Sequence, residues 1–233
     1  MDAFAIFASL RALDLLKEST INWWDDAEMS IIVGVILTQN TKWQNVQKSL
    51  LNLKATNLLN ANNEKSLQNL ASAHPPHLEP LIQSSGFYRQ KSANIILLCQ
   101  NIINHFGDFE TFYKEASREF LLQQRGIGKE SADSILCYAL KRDVLVVDKY
   151  TARLCAKLGM EFFDYDELQS FLQNGILDNL HLFNFTQNTQ NPQNANKTDV
   201  LNYKNLNNIY ARFHGKIVEF SKKFKLNEAL DLI

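Results

Sequence analysis

Apolar residues recur at helical spacing along nearly the whole chain, and strictly alternating stretches are rare. A repeat every three or four positions predicts an amphipathic helix, whereas strict alternation predicts a strand. The eight glycines mostly fall between the periodic stretches, where they mark turns. The pattern therefore predicts an all-α fold of roughly ten helices.

Residues 31–37, with the sequence IIVGVIL, are apolar on every side. Such a run fits either a buried strand or a helix at the centre of a bundle, and periodicity alone does not separate the two. The helical flanks and the polar residues TQNTK that follow favour a core helix, which would end at a functional surface. Gly34 would let a second helix pack closely against it.

Residues 184–208 are rich in Asn and Gln and poor in large apolar side chains. Such a segment buries too little apolar surface to offset the entropy lost on ordering. We expect a long mobile insertion here, followed by an amphipathic helix in the stretch YARFHGKIVEFSKKF.

The composition is that of an ordinary globular protein, because 45% of the 233 residues are hydrophobic. No apolar run reaches the roughly 18 residues that cross a bilayer. The N-terminal residues repeat at helical spacing and include Asp2, which is unlike a signal peptide. We therefore expect a cytoplasmic protein without a membrane partner.

The overall charge argues weakly against a nucleic-acid partner, since the formal net charge is −1 at pH 7. Affinity for phosphates depends, however, on where the positive side chains lie. A local basic patch can bind DNA while other surfaces are acidic, so the charge leaves DNA open as a partner.

The three cysteines, Cys99, Cys137 and Cys155, lie far apart, each within an apolar helical pattern. This spacing fits neither a disulfide framework nor a zinc or iron–sulfur site. We expect buried free thiols, no metal and no cofactor.

Residues 121–140, LLQQRGIGKESADSILCYAL, carry the most informative motif. Gly126-Ile127-Gly128 separates two helical patterns, and its glycines allow positive φ and the close approach of a ligand. Ile127 would plug the turn into the core. The helix N-terminus that follows favours an anion. A Gly-x-Gly turn is by itself equally compatible with a plain connection between helices.

Downstream, the apolar run Val144–Val147 leads to Asp148 at the start of another helical pattern. Asp is a favoured N-cap, so the local sequence alone favours a purely capping role. The distance of Asp148 from the hairpin changes this interpretation.

A hairpin followed about twenty residues later by an apolar run and Asp resembles the helix-hairpin-helix DNA glycosylase superfamily, which includes endonuclease III. Two upstream segments extend the resemblance. LTQNT, around Gln39, is similar to the helix end whose Gln fills the space left by a flipped base. GFYRQKSANII, which begins at Gly86, is similar to the glycine-aromatic-lysine helix start. The similar segments keep their order over residues 29–158.

The resemblance implies two all-α lobes with the active site in the cleft between them. Residues 29–140 would form the lobe that contains the hairpin, and residues 1–28 with 141–233 would form the other. Asp148 would be the catalytic carboxylate of a monomeric enzyme that acts on double-stranded DNA. The residues implied to bind DNA are Gln39, Gly126, Ile127, Gly128, Lys129 and Ser131.

Two departures from the family pattern restrict the expected reaction and the expected cofactor content. Bifunctional members carry a lysine nucleophile two positions after the second hairpin glycine, where this chain has Glu130. A carboxylate cannot form a Schiff base, so we expect base release without strand cleavage. The iron–sulfur cluster of endonuclease III needs four C-terminal cysteines, and this part of the chain has only Cys155.

All three tryptophans, Trp23, Trp24 and Trp43, flank the segment expected to line the base pocket. Each could simply be a core residue, but three together indicate an aromatic cage. A positive charge over an indole face gains on the order of 0.5–2 kcal/mol. The common cationic DNA lesions are N-alkylated purines, above all 3-methyladenine, which leave as neutral bases and need no protonation.

These features resemble the 3-methyladenine DNA glycosylase III type of Helicobacter-like bacteria. The resemblance implies that Glu130 and either Lys222 or Lys216 lie near the base, although a solvated position is the simpler interpretation of either lysine. The acidic pair Asp25-Asp26 departs from the pattern. His214 is expected to be structural rather than catalytic.

Two other functions stay open. A monofunctional glycosylase for a neutral mismatched base would need a protonating acid, which Glu130 could supply. A helix-hairpin-helix module that only binds duplex DNA would have no use for the charge of Asp148.

Overall fold

The computed structural model describes residues 2–13, 15, 27–185, 201–203 and 205–224 of the chain. Trp23, Trp24 and the pair Asp25-Asp26 lie outside the described residues, as does most of the Asn-rich segment, residues 186–200.

Twelve α-helices make up most of the described part of the chain. They are Ala3–Ala12 (α1), Glu28–Thr38 (α2), Trp43–Ala55 (α3), Asn63–Ala71 (α4), Pro75–Ile82 (α5), Tyr88–Phe106 (α6), Phe109–Glu115 (α7), Arg118–Leu122 (α8), Lys129–Ser134 (α9), Lys149–Lys157 (α10), Tyr165–Leu177 (α11) and Leu206–Lys223 (α12). None of these helices combines the length and the apolar content needed to cross a bilayer.

The remaining regular elements are short. A π-helical turn, Ile135–Ala139, continues α9, and 3₁₀ turns cover Gln83–Ser85 and Leu180–Leu182. Strands Phe183–Phe185 (β1) and Leu201–Tyr203 (β2) form a parallel pair, which is the only sheet in the described residues. The predicted all-α class is confirmed.

The limits expected for the mobile insertion, residues 184–208, are wrong at both ends. β1 and β2 reach into this segment, and α12 begins inside it at Leu206. The Asn205 side chain accepts a hydrogen bond from the backbone N–H of Asn208, and Ile209 is fully buried. Because Asn is both a loop residue and a favoured N-cap, its abundance concealed the start of a helix.

The chain divides into two compact units. Residues 24–142 form one, here called the hairpin unit, and residues 1–23 with 143–233 form the other, here called the carboxylate unit. The division falls near residues 28 and 140, where the lobes were expected to meet, and the cleft between lobes stays a prediction.

Helix α2 lies at the centre of the hairpin unit. Every residue from Met29 to Leu37 is buried, and α2 packs against α3, α4, α6, α9 and the π-helical turn. A helix surrounded by other helices needs apolar side chains on every face. The core-helix interpretation of residues 31–37 is therefore confirmed.

In the carboxylate unit, α12 packs against α1 and α10, and α1 also packs against α11. Lys216 of α12 is buried, and its Nζ donates to the carbonyl oxygens of Leu10 and Leu13, at 3.2 and 3.1 Å. Carbonyls at a helix end lack helical partners and carry partial negative charge. The Lys216 ammonium therefore ties α12 to the C-terminal end of α1.

Candidate functional site

The hairpin turn is anchored from inside the hairpin unit. Ile127 is 6% exposed, which confirms its predicted place in the core, and its N–H donates to the carbonyl of Gln124 at 3.1 Å. The Gln124 side chain donates to the carbonyl of Phe120 and accepts from Asn101 Nδ2. The backbone of the turn is thereby fixed by buried contacts on its inner side.

The two hairpin glycines have different roles. Gly126 has φ of 80°, and a Cβ there would lie 2.1 Å from Asn94 Nδ2. Gly128 has an extended backbone, with φ of −93°, and a Cβ there would meet open space. The expected positive φ therefore holds at Gly126 only. Gly128 leaves the exposed side of the turn clear for a ligand.

Alanine at these two positions should give opposite results. Gly126→Ala should lower the free energy of unfolding by about 1–3 kcal/mol, because it adds a clash to an unfavourable φ. Gly128→Ala should leave unfolding within about 0.5 kcal/mol of wild type and weaken duplex binding if phosphate approaches there. Urea unfolding measures the free energy of unfolding of each variant, and titration with duplex DNA measures its binding. Equal destabilisation by the two variants would contradict this assignment.

A partly buried ion pair, which the sequence did not predict, joins the two helices that flank the hairpin turn, α8 and α9. Arg118 Nε lies 2.7 Å from Asp133 Oδ1, and Arg118 Nη2 lies 3.1 Å from Asp133 Oδ2. The Asp133 side chain is fully buried. A bidentate pair of this kind fixes the relative orientation of α8 and α9. The available signal was a charged residue on an otherwise apolar helix face.

Gln39 connects the end of α2 to the hairpin. Its Nε2 donates to the carbonyl of Gly126 at 2.9 Å and to Ser131 Oγ at 3.0 Å. The structure thus brings together residues of two motifs that are far apart in the sequence. Lys129 is half-buried and Glu130 is exposed, both on the first turn of α9.

In the carboxylate unit, the apolar run before Asp148 is buried without belonging to a sheet. The Leu145 carbonyl accepts from Gln169 Nε2 at 2.6 Å, and its N–H donates to Gln173 Oε1 at 2.9 Å. Two glutamines of α11 therefore supply hydrogen-bond partners to a buried backbone segment that pairs with no strand in the described part of the chain. They hold the run that delivers Asp148 to the start of α10.

Asp148 caps α10, as its sequence position predicted. Its Oδ1 accepts from the N–H groups of Tyr150 and Thr151, both at 2.9 Å, and from Thr151 Oγ1 at 3.0 Å. Its Oδ2 faces His214 Nε2 at 3.7 Å. The three capping bonds use one oxygen, so the second is turned towards a different neighbour.

The surroundings of Asp148 favour its charged form. Burial raises the pKa of this carboxyl, but the His214 imidazole and the Thr151 donors lower it by more. The pKa of Asp148 therefore lies below its ordinary value, and the group is ionised at neutral pH. A buried fixed carboxylate can stabilise a developing positive charge, but it cannot act as a general acid.

The contact of His214 with Asp148 could not be predicted from the sequence. His214 lies on α12, its side chain is 8% exposed, and it was expected to be structural rather than catalytic. No local motif links it to Asp148, because the contact forms only when α12 packs against α10.

Two further residues expected at the base pocket are described, Trp43 in the hairpin unit and Lys222 in the carboxylate unit. Trp43 is half-buried at the start of α3. Lys222 lies on the last turn of α12, half-exposed, with its Nζ 2.9 Å from Glu219 Oε1. The described residues contain no group of three or more His, Cys, Asp or Glu side chains placed to hold a metal ion.

The chain is all-α, with a Gly-x-Gly hairpin in one unit and a buried Asp that caps a helix in the other. This combination of features is typical of base-excision DNA repair enzymes. The chain belongs to the HhH-GPD superfamily of base excision DNA repair proteins, whose profile matches residues 33–178. It is a DNA glycosylase, and its partner is DNA.

Individual relatives agree with this assignment. The structure of H. pylori 3-methyladenine DNA glycosylase MagIII bound to 1,N6-ethenoadenine shares 44% identity and a TM-score of 0.86, covering 97% of this chain and 100% of that one. A second relative, MJ1434 of Methanocaldococcus jannaschii, is named as a DNA repair glycosylase. It is 33% identical over an alignment that covers 90% of this chain and 84% of the relative.

A more distant structure shares the fold alone. The trapped endonuclease III–DNA covalent intermediate has a TM-score of 0.63 at 16% identity, covering 94% of this chain and 86% of that one. The resemblance inferred from the motifs is therefore confirmed at the level of the superfamily and of the 3-methyladenine glycosylase neighbour.

Proposed function

We propose that the protein is a monofunctional DNA glycosylase that excises alkylated purines, chiefly 3-methyladenine, from double-stranded DNA. The observation that carries this proposal is the environment of Asp148. A buried carboxylate is held ionised, with one oxygen engaged in capping and the other turned away from the cap.

The chemistry follows from a permanent negative charge. A target base inside the duplex is out of reach, so the nucleotide must be extruded before reaction. An N-alkylated purine is already cationic and leaves as a neutral base, so it requires no protonation. Positive charge then develops on the sugar, where Asp148 stabilises it, and water completes hydrolysis of the N-glycosidic bond.

Hydrolysis without strand cleavage is proposed from Glu130. This exposed residue occupies the position of the lysine nucleophile in bifunctional members of the family. A carboxylate forms no imine with the sugar, so the product is an intact strand with an abasic site.

The DNA contacts are proposed for the exposed side of the hairpin. Gly126, Ile127 and Gly128 would present backbone groups to a phosphate, together with Lys129 and Ser131 at the start of α9. Such contacts position the enzyme and carry no sequence information. Gln39 would fill the space left by the extruded nucleotide.

The base preference is proposed from the aromatic residues and the named neighbour. Trp23, Trp24 and Trp43 would surround a cationic base, with Glu130 and Lys222 at the pocket edge. The 44%-identical neighbour is itself a 3-methyladenine glycosylase. The monomeric state and the cytoplasmic location stay predictions.

The test is to incubate the protein with methylated duplex DNA and with mismatched duplexes, and to measure both released bases and strand breaks. We expect methylpurine release, with strands that break only after alkali. Borohydride should trap no covalent adduct, in contrast to an endonuclease III control. Activity on mismatches alone would contradict the alkylpurine assignment, and a trapped adduct would contradict the monofunctional one.

A further inference from the structure

Lys91, on the first turn of α6, is a buried lysine whose ammonium binds three backbone carbonyls. The residue is 3% exposed. Its Nζ donates to the carbonyl oxygens of Leu37 at 2.9 Å, Gln39 at 2.9 Å and Ser85 at 2.8 Å. An ammonium has three N–H donors, so these bonds use all of them.

The three carbonyls belong to two different turns. Leu37 and Gln39 are at the C-terminal end of α2, where carbonyls lack helical partners and the helix dipole favours a cation. Ser85 precedes Gly86 and Phe87, which have φ of 66° and 46°. One charged group thus joins the turn that follows α2 to the turn that precedes α6.

Keeping this group charged is unfavourable. Burial lowers the pKa of Lys91 to about 8, so the ammonium still predominates at neutral pH. An apolar side chain of the same length would fill the space without any loss of hydration. What the ammonium adds is directional contact with three carbonyl oxygens, and hence a fixed backbone at both turns.

Gln39 is the residue on which this fixation acts most directly. Lys91 holds its carbonyl, and its side chain is bonded to Gly126 and Ser131 of the hairpin. The next residue, Asn40, has φ of 54°. Because Lys91 binds the backbone of Gln39 and not its side chain, the side chain can leave the hairpin without breaking the Lys91 contact.

We propose that Lys91 is a positioning residue for base extrusion, which fixes the turn from which Gln39 enters the DNA. This inference rests on the proposed function, because it takes Gln39 as the side chain that fills the vacated space. Lys91 itself touches no DNA in this role and acts only through the Gln39 turn.

The test is a double-mutant cycle of Lys91→Met and Gln39→Ala. Its readouts are the single-turnover rate of methylpurine release and the fluorescence of 2-aminopurine placed beside a tetrahydrofuran abasic analogue. Lys91→Met should lower the rate about ten- to hundredfold, because small displacements of positioning groups have effects of this size. In the Gln39→Ala background, Lys91→Met should change the rate and the fluorescence by less than about threefold.

The controls separate positioning from folding. Lys114→Met removes an exposed lysine of the same unit and should behave as wild type in every assay. Lys91→Arg keeps a charged donor and should recover part of the loss. If Lys91→Met does not fold, the cycle is run with Lys91→Gln, whose amide still donates to two carbonyls.

The outcomes are distinct. Equal losses from Lys91→Met in both backgrounds would mean a general structural role and would overturn the inference while leaving the proposed function intact. A wild-type protein that neither releases methylpurines nor changes 2-aminopurine fluorescence would overturn the proposed function and the inference together.

Discussion

Replacing Asp148 by Asn should lower the single-turnover rate of base release by about 10²–10³-fold and leave the fold intact. Asn has the shape of Asp and is an equally good N-cap, so its oxygen can still accept from Tyr150 and Thr151. Only the charge is lost. The stabilisation of positive charge on the sugar is lost with it.

Duplex binding separates this expectation from general damage. Asp148→Asn should bind DNA as tightly as wild type or more tightly, because a negative charge has been removed. Asp148→Ala is the matched variant, since it loses the cap as well and should unfold about 1 kcal/mol more easily. Unchanged turnover in Asp148→Asn would show that the carboxylate only caps α10 and would support a module that merely binds DNA.

Removing the imidazole of His214 should move the acid limb of the pH–rate profile to higher pH. In the wild type, His214 and Thr151 together hold the pKa of Asp148 below its ordinary value against the opposing effect of burial. Without His214, only the donors at the start of α10 oppose the effect of burial, so the pKa of Asp148 rises. As the pH falls, the ionised carboxylate is then lost earlier than in the wild type.

The measurement is the single-turnover rate across roughly pH 4–8 for His214→Gln and His214→Leu. Below the displaced limb, the rate should fall about tenfold per pH unit, and the loss should be smallest at the alkaline end. Lys223→Gln, an exposed change on the same helix, is the control and should keep the wild-type profile. A uniform loss at every pH would assign His214 to packing alone.

The sequence could predict features that depend on neighbouring residues in the chain. The all-apolar run at 31–37, between helical flanks, favoured a helix buried on every side, and Ile127 between two glycines predicted a turn plugged into the core. Asp148 could be proposed as the catalytic carboxylate because a residue type favoured as an N-cap follows a buried apolar run, at the distance from the hairpin that the family shows. In each case the signal lies within a few residues or in a fixed spacing.

The features that escaped prediction depend on contacts between distant segments. His214 meets Asp148 only through the packing of α12 on α10, and Lys91 meets carbonyls from two separate turns. Periodicity reports that such a position is buried, but it does not report which polar group lies opposite. The start of α12 was missed for a different reason, since its N-cap Asn205 is of the same residue type that dominates the sequence before it.

The hydrogen bonds from Gln39 to the hairpin also bear on how the enzyme moves along undamaged DNA. The amide that would enter the duplex already has two acceptors, the Gly126 carbonyl and the Ser131 hydroxyl. If Gln39 has the proposed role, intact base pairs would offer it no better acceptors, and the side chain would stay bonded to the hairpin on undamaged DNA. Insertion would then be favoured only where a nucleotide is already loosely paired, and the hydrogen bonds to the hairpin would discriminate between undamaged and damaged sites before any base reaches the pocket.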